Sequence, residues 1–136
     1  MIPFSSRALP DGSIEAAYRS SIERLIRGLE EKSHEVYCAL VYAGWKLGGD
    51  TLPEDEFRHD FAEIDASDKL ITLLEERVSA GVQLESGYAY AKGKKSEIYQ
   101  IGKPVWSNNA FAKLNGNEII SVTDVTDFVE KALQNN

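Results

Sequence analysis

The chain has 136 residues, 43% of them hydrophobic and 27% charged, which is typical of one globular domain, here assigned to residues 1–136. Fifteen Lys and Arg against 22 Asp and Glu give a formal net charge of −7, so nucleic acids and anionic membranes are poor candidate partners. No stretch approaches the ~18 consecutive apolar residues of a membrane span, and the N-terminus lacks a signal-peptide pattern, so we expect a soluble, cytoplasmic protein. The single cysteine, Cys38, excludes an internal disulfide bond and a cysteine-based metal framework.

The first half of the chain predicts strands and helices in alternation. Residues 1–4 form a short apolar start that predicts a strand, and residues 14 to about 31 carry apolar side chains at helical spacing, which predicts an amphipathic helix. Residues 34–42 are rich in Val, Tyr and Leu and too few for a typical helix, which predicts a buried strand. Residues 51–54 have the spacing of a capping box with proline in the first turn, so a second helix should run from there to about residue 66.

The second half continues the alternation. Residues 69–75 and 96–101 read as strands, as does the neighbourhood of Val105, while residues 81–94 and 124–133 read as helices. The small residues Gly87, Ala89 and Ala91 should let the first of these helices pack closely on a sheet. Such alternation predicts βαβ units, with a parallel sheet covered by helices on both faces. Ligands gather at the carboxyl ends of the strands in such sheets.

The segment 79–94, SAGVQLESGYAYAKGK, is the most informative part of the sequence. Gly81 at a helix start would let a ligand approach the backbone, and the free N–H groups and dipole of that end favour an anion, with the Ser79 hydroxyl as a further donor. Glu85 lies deeper in the same helix, where the dipole would hold it ionised as a potential nucleophile. The residues alone leave open that Ser79 is only an N-cap and that Glu85 only complements the dipole.

This segment resembles the signature of the nucleoside 2-deoxyribosyltransferase family, in which a Gly-x-x-x-Glu-x-Gly-x-Ala-x-Ala stretch carries the catalytic glutamate. Here the stretch begins at Gly81 and its glutamate is Glu85. The preceding helix is similar as well, with Asp60 followed eight positions later by Asp68. The resemblance implies a three-layer, flavodoxin-like or Rossmann-like α/β fold, a nucleotide or nucleoside as small-molecule partner, and no cofactor.

Within that family, residues 79–85 are similar to the Ser-x-Gly-Val-x-x-Glu motif of hydrolases that act on 2'-deoxynucleoside 5'-monophosphates. In that branch a Ser-x-Arg after the first strand also reaches the 5'-phosphate. Ser5, Ser6 and Arg7 stand in that place. The resemblance therefore implies a phosphate site made by these residues together with Ser79 and Gly81, although a solvated loop position remains the alternative for Arg7.

The chemistry implied is cleavage of an N-glycosidic bond through an oxocarbenium-like transition state, with Glu85 forming a covalent glycosyl intermediate. The resemblance gives Asp60 the task of holding the sugar hydroxyls and protonating the leaving base. Two carboxyls in one pocket push one pKa upward, and Asp60 is the group we expect to be partly protonated. Asp68 is expected to orient the end of the second helix.

Aromatic side chains flank the loop where a base would lie. Trp45 is the candidate for stacking on the base, with Phe57 nearby, whereas Tyr42 is expected in the core. Neither His34 nor His59 has a second histidine or cysteine at ligand spacing, so no metal site is predicted. A role for His59 as an auxiliary acid stays open.

Residues 106–111, WSNNAF, combine polar groups with two aromatics, which suits an interface that also carries polar ligands. In the resembling family a residue of this region crosses into the neighbouring subunit's pocket. The position 24 residues after Glu85 is Asn109, where the hydrolase branch has a phosphate-contacting serine. The resemblance thus implies a homodimer with shared active sites, and the alternative is an ordinary surface turn.

The resemblance favours hydrolysis of a (deoxy)nucleoside 5'-monophosphate to free base and sugar 5-phosphate. A transferase that exchanges bases between nucleosides would use the same Glu85 and differ only in whether water or a second base resolves the intermediate. A non-catalytic nucleotide-binding module is a further alternative, against which the presence of both Asp60 and Glu85 argues. A phosphoacceptor receiver domain is discounted because the strand at residues 69–75 ends without the aspartate that such a domain phosphorylates.

Overall fold

The computed structural model describes residues 7–48, 53–76, 79–103, 114 and 118–136. Along the chain these residues form the helices α1 (Ala16–Glu31), α2 (Ala39–Tyr42) and α3 (Pro53–Ala66), the strand β1 (Lys69–Leu74), the helix α4 (Ala80–Ala91), the strands β2 (Lys95–Ile101) and β3 (Ile119–Val122), and the helix α5 (Val125–Asn135).

The strands β1, β2 and β3 form a parallel sheet in that order. Lys69 pairs with Lys95 at the start of the first ladder, and Leu74 pairs with Gln100 near its end. Helix α4 is the crossover that two parallel neighbours require. Its N-terminus therefore begins at the carboxyl edge of the sheet, the edge at which the sequence predicted the site.

Side chains of successive strand residues point to opposite faces of the sheet, and helices cover both faces. On one face, Leu73 and Tyr99 pack into a core with α1 and α5. On the other face, Leu70, Leu74 and Ile98 pack against residues of α3 and α4. This three-layer α/β arrangement confirms the predicted fold class.

The helices form where the apolar spacing predicted them. Helix α1 buries Tyr18, Ile22, Leu25 and Leu29, one residue per turn of a single face. The Asp124 side chain caps α5 by accepting a hydrogen bond from the backbone N–H of Asp127 at 2.8 Å.

The strand predicted at residues 34–42 is wrong. Residues 34–38 form no regular element, and Ala39–Tyr42 make one helical turn. The backbone N–H groups of Val41 and Tyr42 both bond the carbonyl oxygen of Cys38, at 3.0 and 3.2 Å. Local helical hydrogen bonds thus replace sheet pairing. Of the side chains that suggested a strand, Leu40 is fully buried, Val36 and Tyr37 are partly buried, and Val41 and Tyr42 are exposed.

Three further strands differ from the sequence prediction or lie where it is not tested. Strand β3 was not predicted, because four residues give too short a pattern. The strands proposed at residues 1–4 and near Val105 lie outside the described residues.

Of the small residues in α4, Ala89 is buried against the sheet side as predicted, whereas Gly87 and Ala91 are exposed. Within the described ranges, no helix has the length and apolar character needed to cross a membrane.

Candidate active site

Asp60 on α3 and Glu85 on α4 face each other across the contact between the two helices. Phe61 stacks on Tyr88 with ring centroids 4.2 Å apart, which fixes one helix against the other next to the carboxyl groups. The two carboxyl groups share a hydrogen bond. Asp60 is only 9% exposed, and Glu85 is partly buried. The structure therefore brings together the two residues on which the predicted chemistry depends.

Burial, and next the negative charge of Asp60 and the hydrogen bond to it, raise the pKa of Glu85 to about 7. The helix dipole was predicted to keep Glu85 ionised, and burial outweighs it. The sequence also assigned the raised pKa of the pair to Asp60, whereas the structure assigns it to Glu85. Two carboxyls in such contact titrate as a pair, so the pair holds one proton just below pH 7 and loses it as the pH rises through about 7.

Tyr37 is a member of this cluster that the sequence did not identify. Its hydroxyl donates a hydrogen bond of 2.5 Å to Oδ1 of Asp60. The sequence contained no signal for it, because Tyr37 belongs to the segment read as a buried strand and lies 23 residues before Asp60.

The rings of His59 and Tyr42 lie beside Tyr37 and Asp60. The ring of His59 stacks on Tyr42 with centroids 3.9 Å apart and meets Tyr37 edge-on at 5.4 Å. His59 Nε2 also lies 3.7 Å from Oε1 of Glu63. Tyr42, expected in the core, is instead 51% exposed. An exposed ring beside the carboxyl pair is a surface on which a planar base could stack.

Ser79 caps helix α4, which is the structural role that the sequence left open for it. Its hydroxyl oxygen accepts a hydrogen bond from the backbone N–H of Val82 at 3.2 Å, which leaves the hydroxyl proton for a ligand. The space over Gly81 is open, since a Cβ atom there would come no closer than 3.9 Å to the Phe57 ring and 4.0 Å to Ser79 Oγ. Packing within the described protein does not require a glycine here, whereas close approach of a ligand to the backbone would.

Arg7 lies at the carboxyl end of β1, where it forms an ion pair with Glu75. Its guanidinium group is also 3.9 Å from Glu15 and lies over the Tyr18 ring at 5.0 Å. Arg7 is therefore not the solvated loop residue of the alternative interpretation. A phosphate that binds Arg7 would have to compete with Glu75 for the guanidinium group.

Trp45 does not lie on the carboxyl pair's side of the sheet. It is 9% exposed and belongs to the core that α1 and α5 form, and the Arg19 guanidinium covers its ring at 5.1 Å. Its backbone is in the left-handed region, with φ of 60°, directly after Gly44 with φ of 67°. The burial of the indole in this core argues against the predicted contact with a base.

Ser5, Ser6 and Asn109, predicted to contact the phosphate, lie outside the described residues. A cavity of about 290 Å³ lies on the other face of the sheet, with Arg7, Glu15 and Asp124 in its lining. Neither Asp60 nor Glu85 lines it. Among the described residues, no three or more His, Cys, Asp or Glu side chains are grouped so as to hold a metal ion.

No protein-family model matches the chain, and no curated protein matches its sequence. Solved structures match its fold. The structure of Clostridium botulinum CMP N-glycosidase, BcmB, is similar with a TM-score of 0.69 at 23% identity, over 88% of this chain and 92% of that chain. The solution structure of BlsM is similar with a TM-score of 0.70 at 17% identity, over 98% of this chain and 88% of that chain. At these identities the likeness establishes a shared α/β fold.

Proposed function

We propose that this chain hydrolyses the N-glycosidic bond of a (deoxy)nucleoside 5'-monophosphate in the cytoplasm and belongs to the hydrolase branch of the nucleoside 2-deoxyribosyltransferase family. The observation that carries the proposal is the hydrogen-bonded pair of Asp60 and Glu85 between α3 and α4. The fold shared with a CMP N-glycosidase supports it. The open space over Gly81, beside the Ser79 hydroxyl at the start of α4, supports a phosphate group on the substrate.

The proposed reaction uses the one proton of the carboxyl pair. Ionised Glu85 attacks the anomeric carbon, the bond from that carbon to the base breaks, and Asp60 gives the pair's proton to the departing base. Water then attacks the anomeric carbon and displaces Glu85, while Asp60 takes back a proton from the water. The proton that the structure associates with Glu85 in the free enzyme can reach Asp60 directly across their hydrogen bond.

The test is release of free base from a panel of nucleosides and nucleoside 5'-monophosphates, each with and without a second base as acceptor. CMP belongs in the panel because BcmB is a CMP N-glycosidase. Base release from a monophosphate in water supports the hydrolase. Exchange of bases between nucleosides without net hydrolysis would make the chain a transferase, and binding without turnover would make it a nucleotide-binding module.

We expect replacement of Ser79 by alanine to reduce the preference for a monophosphate over its nucleoside. The ratio of kcat/KM for the monophosphate to kcat/KM for the nucleoside should fall by a factor that corresponds to about 1–3 kcal/mol, the scale of a hydrogen bond to a charged group. Asp124→Ala is the matched control, because it removes the N-cap of α5 at a similar cost in stability, about 1 kcal/mol. If the wild-type protein handled nucleoside and monophosphate equally, the phosphate site would be refuted.

We also propose a homodimer in which Asn109 enters the partner's site. One observation that supports a dimer is the exposed face of α4, formed by Ala80, Gln83, Leu84, Gly87, Tyr90 and Ala91. This face carries no charged side chain although the whole chain has a net charge of −7. Leu84 and Tyr90 are 49% and 47% exposed. A second copy on this face would stand next to the helix that carries Glu85.

Mixing two inactive variants tests the shared site. Glu85→Gln and Asn109→Trp homodimers should each be inactive, and subunit exchange should restore part of the activity, because one site of each mixed dimer then has both wild-type residues. A mixture that stays inactive despite demonstrated exchange, or a monomeric protein at assay concentration, would rule out the shared site.

A further inference from the structure

We propose that Tyr37 is a positioning residue, whose hydroxyl occupies Oδ1 of Asp60 and thereby directs the proton of the carboxyl pair to Oδ2. This inference rests on the proposed function for its consequence in catalysis. The hydrogen bond itself, from the Tyr37 hydroxyl to Oδ1 of Asp60, stands on the geometry of the structure.

Tyr37 is held in place from several sides. Its ring meets His59 edge-on at 5.4 Å and is tilted against Tyr42 at 6.4 Å. Its hydroxyl bonds a carboxyl group that is itself only 9% exposed. A tyrosine clamped by two rings and one short hydrogen bond has little freedom to move its hydroxyl away from Asp60.

The direction of the hydrogen bond follows from the ionisable groups around Tyr37. Burial raises the pKa of the Tyr37 phenol, and the hydrogen bond to Asp60 and the charges of Asp60, Glu63 and Cys38 act in the same direction. The phenol therefore keeps its proton at neutral pH and donates it. Oδ1 of Asp60 must then act as the acceptor, whether Asp60 is ionised or neutral.

The consequence concerns the proton that Asp60 gives to the departing base. A neutral carboxyl has one O–H and one carbonyl oxygen. If Oδ1 accepts from Tyr37, the O–H is on Oδ2, and the same constraint fixes the rotation of the carboxyl group. Tyr37 also stabilises negative charge on Asp60, so it helps the pair to release its last proton.

The competing explanation is that Tyr37 only anchors residues 34–38 to α3. The chain offers a matched pair to separate the two. Tyr88 donates to Oδ2 of Asp65 at 2.8 Å, again from a tyrosine to an aspartate of α3, but at an exposed position. Tyr88→Phe therefore removes the same kind of bond without touching the carboxyl pair.

The experiment compares Tyr37→Phe with Tyr88→Phe. We expect Tyr37→Phe to lower kcat by about 10- to 100-fold, the scale of one hydrogen bond to a charged group, with little change in KM. The alkaline limb of its pH profile should move to higher pH, because the pair has lost a donor that stabilises its doubly ionised form. Tyr88→Phe should change neither kcat nor the alkaline limb. Equal effects of both variants, or a loss of activity without a shift of the limb, would overturn the inference.

A measurement without substrate separates this inference from the proposed function. With ¹³C-labelled carboxyl groups, the titration of the pair near pH 7 should move upward in Tyr37→Phe, whatever the enzyme's reaction is. A second readout uses the wild-type protein and so does not depend on the folding of Tyr37→Phe. There the ¹³Cζ resonance of Tyr37 should shift with the titration of the pair, and this shift should disappear in Asp60→Asn. An unchanged titration refutes the role of Tyr37, while absent base release with a shifted titration refutes only the proposed function.

Discussion

Replacing Glu85 by glutamine should abolish base release while the protein stays folded. The amide keeps the volume of the side chain and can still hydrogen-bond Asp60, but it has no negative charge with which to attack the anomeric carbon. We expect kcat to fall by at least about 10³-fold, as for removal of other covalent nucleophiles. The assay is release of free base from the best monophosphate of the panel, with a thermal melt to verify folding.

Glu63→Gln is the matched control for this variant. Glu63 is a half-buried glutamate on the facing helix α3, with its carboxylate near His59 rather than in the pair. It should retain wild-type turnover. Substantial turnover by Glu85→Gln would exclude the covalent mechanism, and trapping of a glycosyl group on Glu85 by mass spectrometry in the wild-type protein would support it directly.

Asp60→Asn should lower kcat by about 10²- to 10⁴-fold, the usual contribution of a general acid, with a much smaller effect on KM. The asparagine oxygen can still accept the hydrogen bond from Tyr37, so the cluster should remain assembled. Asp65→Asn is the control, since its aspartate accepts a tyrosine hydroxyl in the same way outside the pair. A rise in KM with unchanged kcat would instead make Asp60 a binding residue.

The wild-type protein and Asp60→Asn should differ in the direction in which their activity changes with pH. In the wild-type protein the active form carries one proton on the pair, so kcat/KM should fall as the pH rises through about 7, where that proton is lost. In Asp60→Asn the charge that helps to raise the pKa of Glu85 is gone, so this pKa should drop. The residual activity should then rise with pH through the lowered value. An alkaline limb that persists in Asp60→Asn would contradict the assignment of the acid.

The candidate site residues could be proposed from sequence where they lie within one helix or follow a spaced motif. Ser79, Gly81 and Glu85 are fixed by the spacing along α4, and Asp60 by its position in the preceding helix. The parts that could not be predicted involve residues distant in sequence. Tyr37 reaches Asp60 only because residues 34–38 pack beside α3, and Trp45 is buried in the core that α1 and α5 form.

The sequence by itself determined the α/β alternation, the helix α4 with Ser79 at its start, and the placement of Asp60 and Glu85 on two helices, because apolar periodicity, caps and motif spacing are local properties. The tertiary structure alone decided which carboxyl has its pKa raised. The helix dipole acts on Glu85 through its own helix and favours ionisation, whereas burial and the charge of Asp60 arise only when α3 packs against α4. Desolvation depends on everything that surrounds a group, and for Glu85 it outweighs the local field that the sequence reveals.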